Sequence, residues 1–456
     1  MEQGRGHRRR LRPAPGGGLG VSARTVAFAT LGCRLNQVDS REIQTALEAR
    51  GFLTVPIEAP ADVVVVNTCT VTARAELSDR QAIRRAARVS PGARVVVTGC
   101  WAQTSPGEVA GLAEVDLVVG NADKARLPEL LEGLLAGAPG RVHVSDIAGA
   151  RALEIPPLAR VVGRSRAFLK VQDGCQHRCA FCIVPRARGR SRSLEPKVVL
   201  DHARRLVEAG HLELTLTGVD LGHYGADLLP RTTLAALLRE LGSLPGLRRV
   251  RLSSLLPAYV TDELLETLAG SPVIAPHLHV PLQSGSDRVL RRMRRPYTAG
   301  MYRRLVERLA AAIPALGLGA DVIVGFPGET DADFAATRAL VAALPFSYLH
   351  VFPFSPRRGT EATTLDGRVD ARTAARRARK LRELGSAKRA AFGTGLVGSV
   401  QEVLVLETRD PATGGLRGLT GNYVEVVFPG PDARMRTLAR VRVTGAQRER
   451  TLGETV

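Results

Sequence analysis

Residues 167–182, AFLKVQDGCQHRCAFC, carry a short apolar run straight into three cysteines, Cys175, Cys179 and Cys182. The apolar run has the length of one buried strand, and the C-x3-C-x2-C spacing behind it sets three thiols on one tight loop. Such a triplet can bind three irons of a 4Fe-4S cube and leave the fourth iron open for chemistry. The competing reading is structural zinc with His177 as fourth ligand, although neighbouring zinc ligands usually come as C-x2-C or H-x3-H pairs.

Downstream of the triplet the same strand pattern recurs. ELTLTGVDLG (213–222), RRVRLSSL (248–255), HLHVPLQSGS (277–286), ADVIVGFPGE (320–329) and YLHVFPFSPR (348–357) alternate with helical stretches that include 196–209, 231–242, 299–313 and 331–343. Six strand-helix units predict a partial parallel (β/α)6 barrel over 161–369, with chemistry at the strand carboxyl ends. Upstream, TVAFATLG (25–32), ADVVVVNTC (61–69), ARVVVTGC (93–100) and VDLVVGN (115–121) resemble buried parallel strands of an α/β domain over 25–136. The first three of these runs lead to Cys33, Cys69 and Cys100, so three residues far apart in sequence can meet at one sheet edge. Buried core thiols are the alternative.

A Pro- and Gly-containing stretch, 137–160, reads as a linker between the two. Residues 1–24 are basic, rich in Gly and Pro, and read as a disordered tail without an export signal. The six cysteines are therefore expected reduced, in a cytoplasmic protein, where metal binding is favoured over disulfides. Residues 370–393 form a basic helical connector, in which DARTAARRARKLRELGSAKRAAF holds eight Lys or Arg against two acidic residues. The last segment, 394–456, alternates as VGSVQEVLVLE, NYVEVVFP and MRTLARVRVTG and predicts a small antiparallel β-barrel.

Of 456 residues, 64 are Lys or Arg and 44 are Asp or Glu, a formal charge of +20 that favours a polyanionic partner, nucleic acid first. Candidate phosphate contacts are Arg376, Arg377 and Arg379 on the connector, with Arg291–Arg295 as a further basic run. In the final barrel they are Arg434, Arg436, Arg440 and Arg442, which share strand parity. No apolar run approaches the roughly 20 residues of a membrane span.

QDGCQHRCAFCIVPRARGRSRS (172–193) resembles the signature of the radical S-adenosylmethionine superfamily and, within it, of the methylthiotransferases. TLGCRLNQVDS (30–40), VVVVNTCTVT (63–72) and VVVTGC (95–100) are similar to that family's amino-terminal domain. PLQSGSDRVLRRMRRPYT (281–298) and ADVIVGFPGET (320–330) are similar to its core, and the final segment to its RNA-binding TRAM domain.

The resemblance implies two 4Fe-4S clusters and S-adenosylmethionine as cofactors. Cys175, Cys179 and Cys182 would hold the cluster whose open iron takes the methionyl group. Cys33, Cys69 and Cys100 would hold an auxiliary cluster carrying the sulfur. Phe181 and Gly325 to Glu329 would lie near the adenosine, Gly218 near the methionine amino group, and Ser253, Ser254, Gln283 and Ser284 in the pocket. Arg186 stands where much of the family has a tyrosine, a departure that changes any substrate contact there.

The implied partners are the tRNA anticodon arm and a reductant such as flavodoxin or ferredoxin, with the sulfur donor not indicated. GCRLNQVDS, with Asn36 and Gln37, and LTGVDLGHYG resemble the branch that acts on N6-threonylcarbamoyladenosine at position 37. Isopentenyl-adenosine in tRNA and a ribosomal-protein aspartate are the alternatives within the family. A non-catalytic, zinc-stabilised RNA-binding protein is the alternative outside it.

Overall fold

The run of four valines at 63–66 does not alternate, so its strand must be covered on both faces. In the computed structural model, which describes residues 23–153, 165–447 and 450–456, it is. Strands β1 (Thr25–Thr30), β2 (Leu53–Thr54), β3 (Val63–Thr68), β4 (Arg94–Gly99), β5 (Leu117–Val119) and β6 (Val142–His143) form a parallel sheet of order β2-β1-β3-β4-β5-β6. Val64 and Val66 pack with Ile83, Ala86 and Trp101 on one face, while Val63 and Val65 pack with Ile43, Leu47 and Leu131 on the other. This sheet belongs to the first of two compact units, which reaches Ile147; apart from Val71–Ala73, the second runs from Ala148 to Val456.

One sequence boundary differs from the expectation. Strand β6 extends the sheet into the expected linker 137–160, because a two-residue edge strand between glycines carries no periodic signal. The tail 1–24 lies outside the described residues but for its last two.

In the second unit, β7 (Arg166–Lys170) leads to a short hairpin, β8 (Gln172–Asp173) with β9 (Arg192–Ser193), which encloses the cysteine loop. β10 (Glu213–Thr217) and β11 (Arg249–Leu252) complete a parallel sheet β11-β10-β7. β12 (His277–His279), β13 (Gly317–Val324) and β14 (Tyr348–Pro353) form a second one. Isolated parallel bridges, Val250 to Ile274 and Ser254 to His279, join the two into one half-barrel of order β7-β10-β11-β12-β13-β14. Odd and even positions divide cleanly: Leu214, Leu216, Val250 and Leu252 are buried among apolar neighbours, and the paired inner positions carry Glu213, Thr215, Thr217, Arg249 and Arg251.

The inner face is therefore ionic where it is deepest. Arg251 is fully buried and donates through Nε to Glu213 Oε1 (2.9 Å) and through Nη2 to Oε2 (3.3 Å), and Arg249 Nη1 adds a third contact to Oε2 at 3.3 Å. Burial alone would raise the Glu213 carboxyl, but the Arg251 guanidinium, seconded by Arg249, outweighs it and holds the group below its ordinary range.

The remaining guanidinium donors reach the C-terminal domain, a closed barrel of β15 (Val400–Arg409), β16 (Leu416–Thr420), β17 (Glu425–Phe428), β18 (Leu438–Gln447) and β19 (Arg450–Thr455). Arg251 donates to the carbonyls of Thr420 and Gly421, and Arg249 to those of Leu419 and Glu402. The β16–β17 turn thus closes the amino end of the half-barrel. Tyr423 stacks on His277 at 4.4 Å, and Gly317 has no room for a Cβ, which would lie 1.9 Å from the Asn422 carbonyl oxygen. One pair of this barrel, β17 with β19, is parallel, where an antiparallel barrel was expected.

The helix Ala371–Thr394 matches the expected connector and is capped by Asp370, whose side chain accepts from Thr373 N. Its three candidate arginines separate. Arg376 and Arg379 are exposed, but Arg377 is buried in ion pairs with Glu329 (2.6 Å) and Asp331 (2.7 Å) and is structural. The parity of Arg434 to Arg442 also breaks, since β18 begins at Leu438. Arg440 and Arg442 face outward along it, while Arg434 lies in a 3-10 turn and Arg436 has φ of 65°. Of the run 291–295, Arg292, Arg294 and Arg295 are committed to Asp366, Glu361 and Cys179.

Replacing Arg251 by Met leaves Glu213 buried without its principal cation, with Arg249 as its remaining ion pair, and should cost about 3–5 kcal/mol of stability. Denaturant unfolding of Arg251→Met and of Arg251→Met/Glu213→Gln tests this, the double variant being the more stable of the two.

Candidate cluster and cofactor sites

Cys33, Cys69 and Cys100 follow β1, β3 and β4, three laterally adjacent strands, so their backbones converge at one carboxyl edge. Two glycines make the convergence possible. Gly32 has φ of +91°, and a Cβ there would lie 2.8 Å from Cys69 Sγ; Gly99, at +98°, faces the Thr68 carbonyl oxygen at 2.4 Å from the same construction.

Asn36 Nδ2 donates to the carbonyls of Leu31 and Thr68, and Asn67 Nδ2 to that of Asn36, which ties the loops together. Asn121 Nδ2 stands 3.7 Å from Cys100 Sγ, and Asp79 accepts the Cys69 N–H at 3.0 Å. Burial pushes the Asp79 carboxyl up to about 7. Cys33 is exposed and the other two thiols are buried, so the triplet opens to one side.

The second triplet is built on Gln172 and Gly174. Gln172 Nε2 donates to the Gly174 carbonyl and to Ser191 Oγ, and its Oε1 accepts the Asp220 N–H at 2.9 Å. Gly218 must be glycine because a Cβ would lie 2.7 Å from that same Oε1. Cys175 N donates to the Gly189 carbonyl and Cys182 N to that of Cys179, closing the loop on itself.

Burial, opposed by the Val184 N–H, pushes the Cys182 thiol up to about 11. Burial, with the Asp220 carboxylate next, pushes Cys175 higher still. These two thiols need a compensating cation to ionise; the Arg295 guanidinium acts in that direction on Cys182, and its Nη1 lies 3.2 Å from Cys179 Sγ. His177 Nε2 lies 3.2 Å from Asp220 Oδ2 and 2.9 Å from the Tyr259 hydroxyl, so the ring is tied to Asp220 beside Cys175.

Around this loop, among the described residues, the half-barrel leaves polar atoms buried without partners at three successive strand ends: Thr217 Oγ1 and Asp220 Oδ1 after β10, Ser253 Oγ after β11, and Gln283 Oε1 after β12. Gln283 holds φ of 65° to reach its place. Buried orphans cost stability and mark where a polar ligand belongs.

Two family models match the chain, the Radical SAM superfamily over residues 169–341 and Uncharacterized protein family UPF0004 over 25–120. The threonylcarbamoyladenosine tRNA methylthiotransferase MtaB of Bacillus subtilis (strain 168) is 39% identical over 92% of this chain and 94% of its own. The protein of the same name from Aquifex aeolicus (strain VF5) is 40% identical over 89% and 97%. The chain belongs to the radical S-adenosylmethionine methylthiotransferase family.

A second branch is also similar: the tRNA-2-methylthio-N(6)-dimethylallyladenosine synthase of Parafrankia sp. (strain EAN1pec) is 38% identical over 91% of this chain and 85% of its own. Among solved structures, the radical S-adenosylmethionine methyltransferase TsrM from Kitasatospora setae superposes with a TM-score of 0.56 at 20% identity, covering 74% of this chain and 77% of that one, a likeness of fold.

For a methylthiotransferase of this family, S-adenosylmethionine and a 4Fe-4S cluster are the expected cofactors, and the orphaned atoms fit a ligand with amino, carboxylate and hydroxyl groups. The pocket candidates sort accordingly. Gln283 and Ser253 present unpartnered oxygens, and Phe181 packs edge-on to Phe326 at 6.5 Å, partly exposed.

Ser284 is a correction: fully buried, its Oγ lies 3.2 Å from Thr337 Oγ1, which makes it scaffold. Ser254 contributes a backbone bridge to His279. Glu329 accepts the Gly325 N–H and the Arg377 guanidinium, so it braces the glycine loop. Arg186 is exposed, its guanidinium filling the space that Gly359 leaves.

Sequence reading passed over Asp79, Asn121, Thr217 and the inward turn of Arg295; only Arg295 had a signal, as the last residue of a basic run ending at Pro296.

Ser253→Ala removes an orphaned hydroxyl. The empty protein should be equally stable or gain about 1 kcal/mol, while S-adenosylmethionine binding weakens by about 1–3 kcal/mol at unchanged iron content. Thermal unfolding and equilibrium dialysis of the same preparations give the two readings.

Proposed function

We propose that this chain methylthiolates C2 of N6-threonylcarbamoyladenosine at position 37 of tRNA. The observation that carries the reading is the pair of relatives named for that reaction, which align with this chain over nearly their whole lengths. Two cysteine triplets at the carboxyl ends of parallel strands, one in each unit, support it.

In this reading Cys175, Cys179 and Cys182 hold one 4Fe-4S cluster and Cys33, Cys69 and Cys100 a second, auxiliary one. When bound, S-adenosylmethionine and its cluster supply a radical able to abstract hydrogen from an unactivated C–H bond. Arg295 offsets the charge of the ligating thiolates and excludes water from their inner side. Asp220, with one oxygen held by His177 and the other unpartnered, receives a cationic amino group. Thr217, Ser253 and Gln283 complete the cofactor's hydrogen bonds.

Arg376 and Arg379 on the connector and Arg440 and Arg442 on β18 are the exposed cations for the phosphates of the anticodon arm. A flavodoxin or ferredoxin as reductant and a cytoplasmic location belong to the same proposal. No helix among the described residues is long and apolar enough to cross a membrane.

Two measurements test the reading. Purified enzyme under anaerobic reducing conditions is offered tRNAs bearing threonylcarbamoyl- or isopentenyl-adenosine, with the ribosomal protein alongside. Methylthiolation of the first alone is expected, and preference for either other substrate overturns the assignment.

The two triplets are separated by substitution. Cys175→Ala should abolish 5'-deoxyadenosine formation and lower iron by about half, whereas Cys69→Ala should keep cofactor cleavage and lose methylthiolated product. Normal product from Cys69→Ala would return the first triplet to the role of core thiols.

A further inference from the structure

Strand β14 turns Leu349 and Val351 away from the half-barrel, Leu349 packing against Gly385 of the connector helix, and turns Tyr348, His350 and Phe352 inward. These three continue a wall of rings that begins at the closed amino end. Tyr423 stacks on His277, and His277 lies 5.9 Å from Tyr348. Tyr348 is 5.3 Å from His350, which is also stacked on His279 at 5.1 Å, and His350 meets Phe352 edge-on at 6.3 Å.

Burial is lost along this wall. Tyr348 is 6% exposed, whereas the His350 side chain is 51% and Phe352 44% exposed, so the upper end of the wall is bare on the inner face of the half-barrel.

The bare end has fixed polarity. Asp321 Oδ1 lies 3.0 Å from His279 Nε2 and 3.2 Å from His350 Nδ1. A carboxylate only accepts, so His350 carries a proton on Nδ1, and in the neutral form of the ring Nε2 is left as an acceptor. Asp321 is thereby a positioning residue for the ring.

We infer that His350 and Phe352 are the seat of the target adenine, the base stacking on the Phe352 ring while its exocyclic N6–H donates to Nε2 at the edge of the His350 ring, which stands edge-on to Phe352. This rests on the reading that the substrate is a tRNA adenosine, and it holds for either N6 substituent, since both leave one N–H. A nucleobase suits the wall because every base has a flat π face, and an enzyme that works on a ring carbon must take the base out of its stack. The same strand-end region holds the orphaned Ser253 and Gln283 atoms, with Ser254 bridging to His279.

The test is a binding cycle with full-length protein carrying its clusters. RNA hairpins of anticodon-arm sequence carry adenosine, purine riboside or an abasic site at the target position. Wild-type protein should bind the adenosine hairpin about tenfold more tightly than the abasic one, the scale of a single stacked base. Phe352→Ala should lose most of that ratio, and His350→Ala the part of it that comes from the N6–H contact, with abasic binding unchanged. His350→Phe should keep the stacking part of the adenosine-to-abasic ratio but lose the preference for adenosine over purine riboside.

Equal binding of adenosine and abasic hairpins by wild type, or a ratio that survives both alanine variants, overturns the proposal. So does a metal equivalent beyond the clusters that His350→Ala loses, because the ligand atoms of His279, Asp321 and His350 lie within 4.8 Å of one another and would then be a metal site. Turnover is not part of this measurement. A wild-type protein that shows the base-dependent ratio yet methylthiolates no tRNA refutes the proposed function and leaves the seat standing.

Discussion

Glu213 is a carboxylate with 1% of its side chain exposed, and the second unit is organised around keeping it charged. Its two arginines come from the next strand, and their spare N–H groups end on backbone carbonyls of a domain some 170 residues away in sequence. Buried ion pairs rarely add net stability over an apolar core of the same shape, but breaking one is costly. Their use here is specificity: an apolar floor would accept many orientations of the C-terminal barrel, whereas the Arg251 fork accepts one set of carbonyl positions. The half-barrel and the terminal barrel are consequently one compact unit, in contrast to the separate sheet domain before Ile147.

The sequence announced the parts of this fold that repeat. Four apolar runs of the first domain and six of the second became strands because burial on both faces leaves no other pattern. Cys33, Cys69 and Cys100 could be placed at sheet ends for the same reason. Strands held by pairing partners rather than composition were illegible. β16 reads LRGLT and β19 RTLGET, with few β-branched residues, and each is a strand because the closing barrel supplies hydrogen bonds on both sides. Charge was legible as a sum and not as a distribution: Arg377 and Arg295 look in sequence like their exposed neighbours, and only the fold turns one onto Glu329 and the other onto Cys179.

The site candidates divide along a similar line. Ligating cysteines are readable because their spacing is their chemistry. Gly218 and Gly325 were readable as glycines but not as to cause, which is the Gln172 amide in one case and Ala374 of the connector helix in the other. Ser253 and Ser284 are indistinguishable in sequence, one seryl hydroxyl at a strand end being like another. What separates them is whether a protein partner is within reach.

The turn at Thr420–Val424 gives the half-barrel a shut bottom. With Tyr423 and the Asn422 carbonyl pressed where Gly317 leaves room, the vessel is a cup and not a tube. A ligand therefore finds no passage through the floor, and reaches the inner face from the strand carboxyl ends or from the open side between the edge strands β7 and β14.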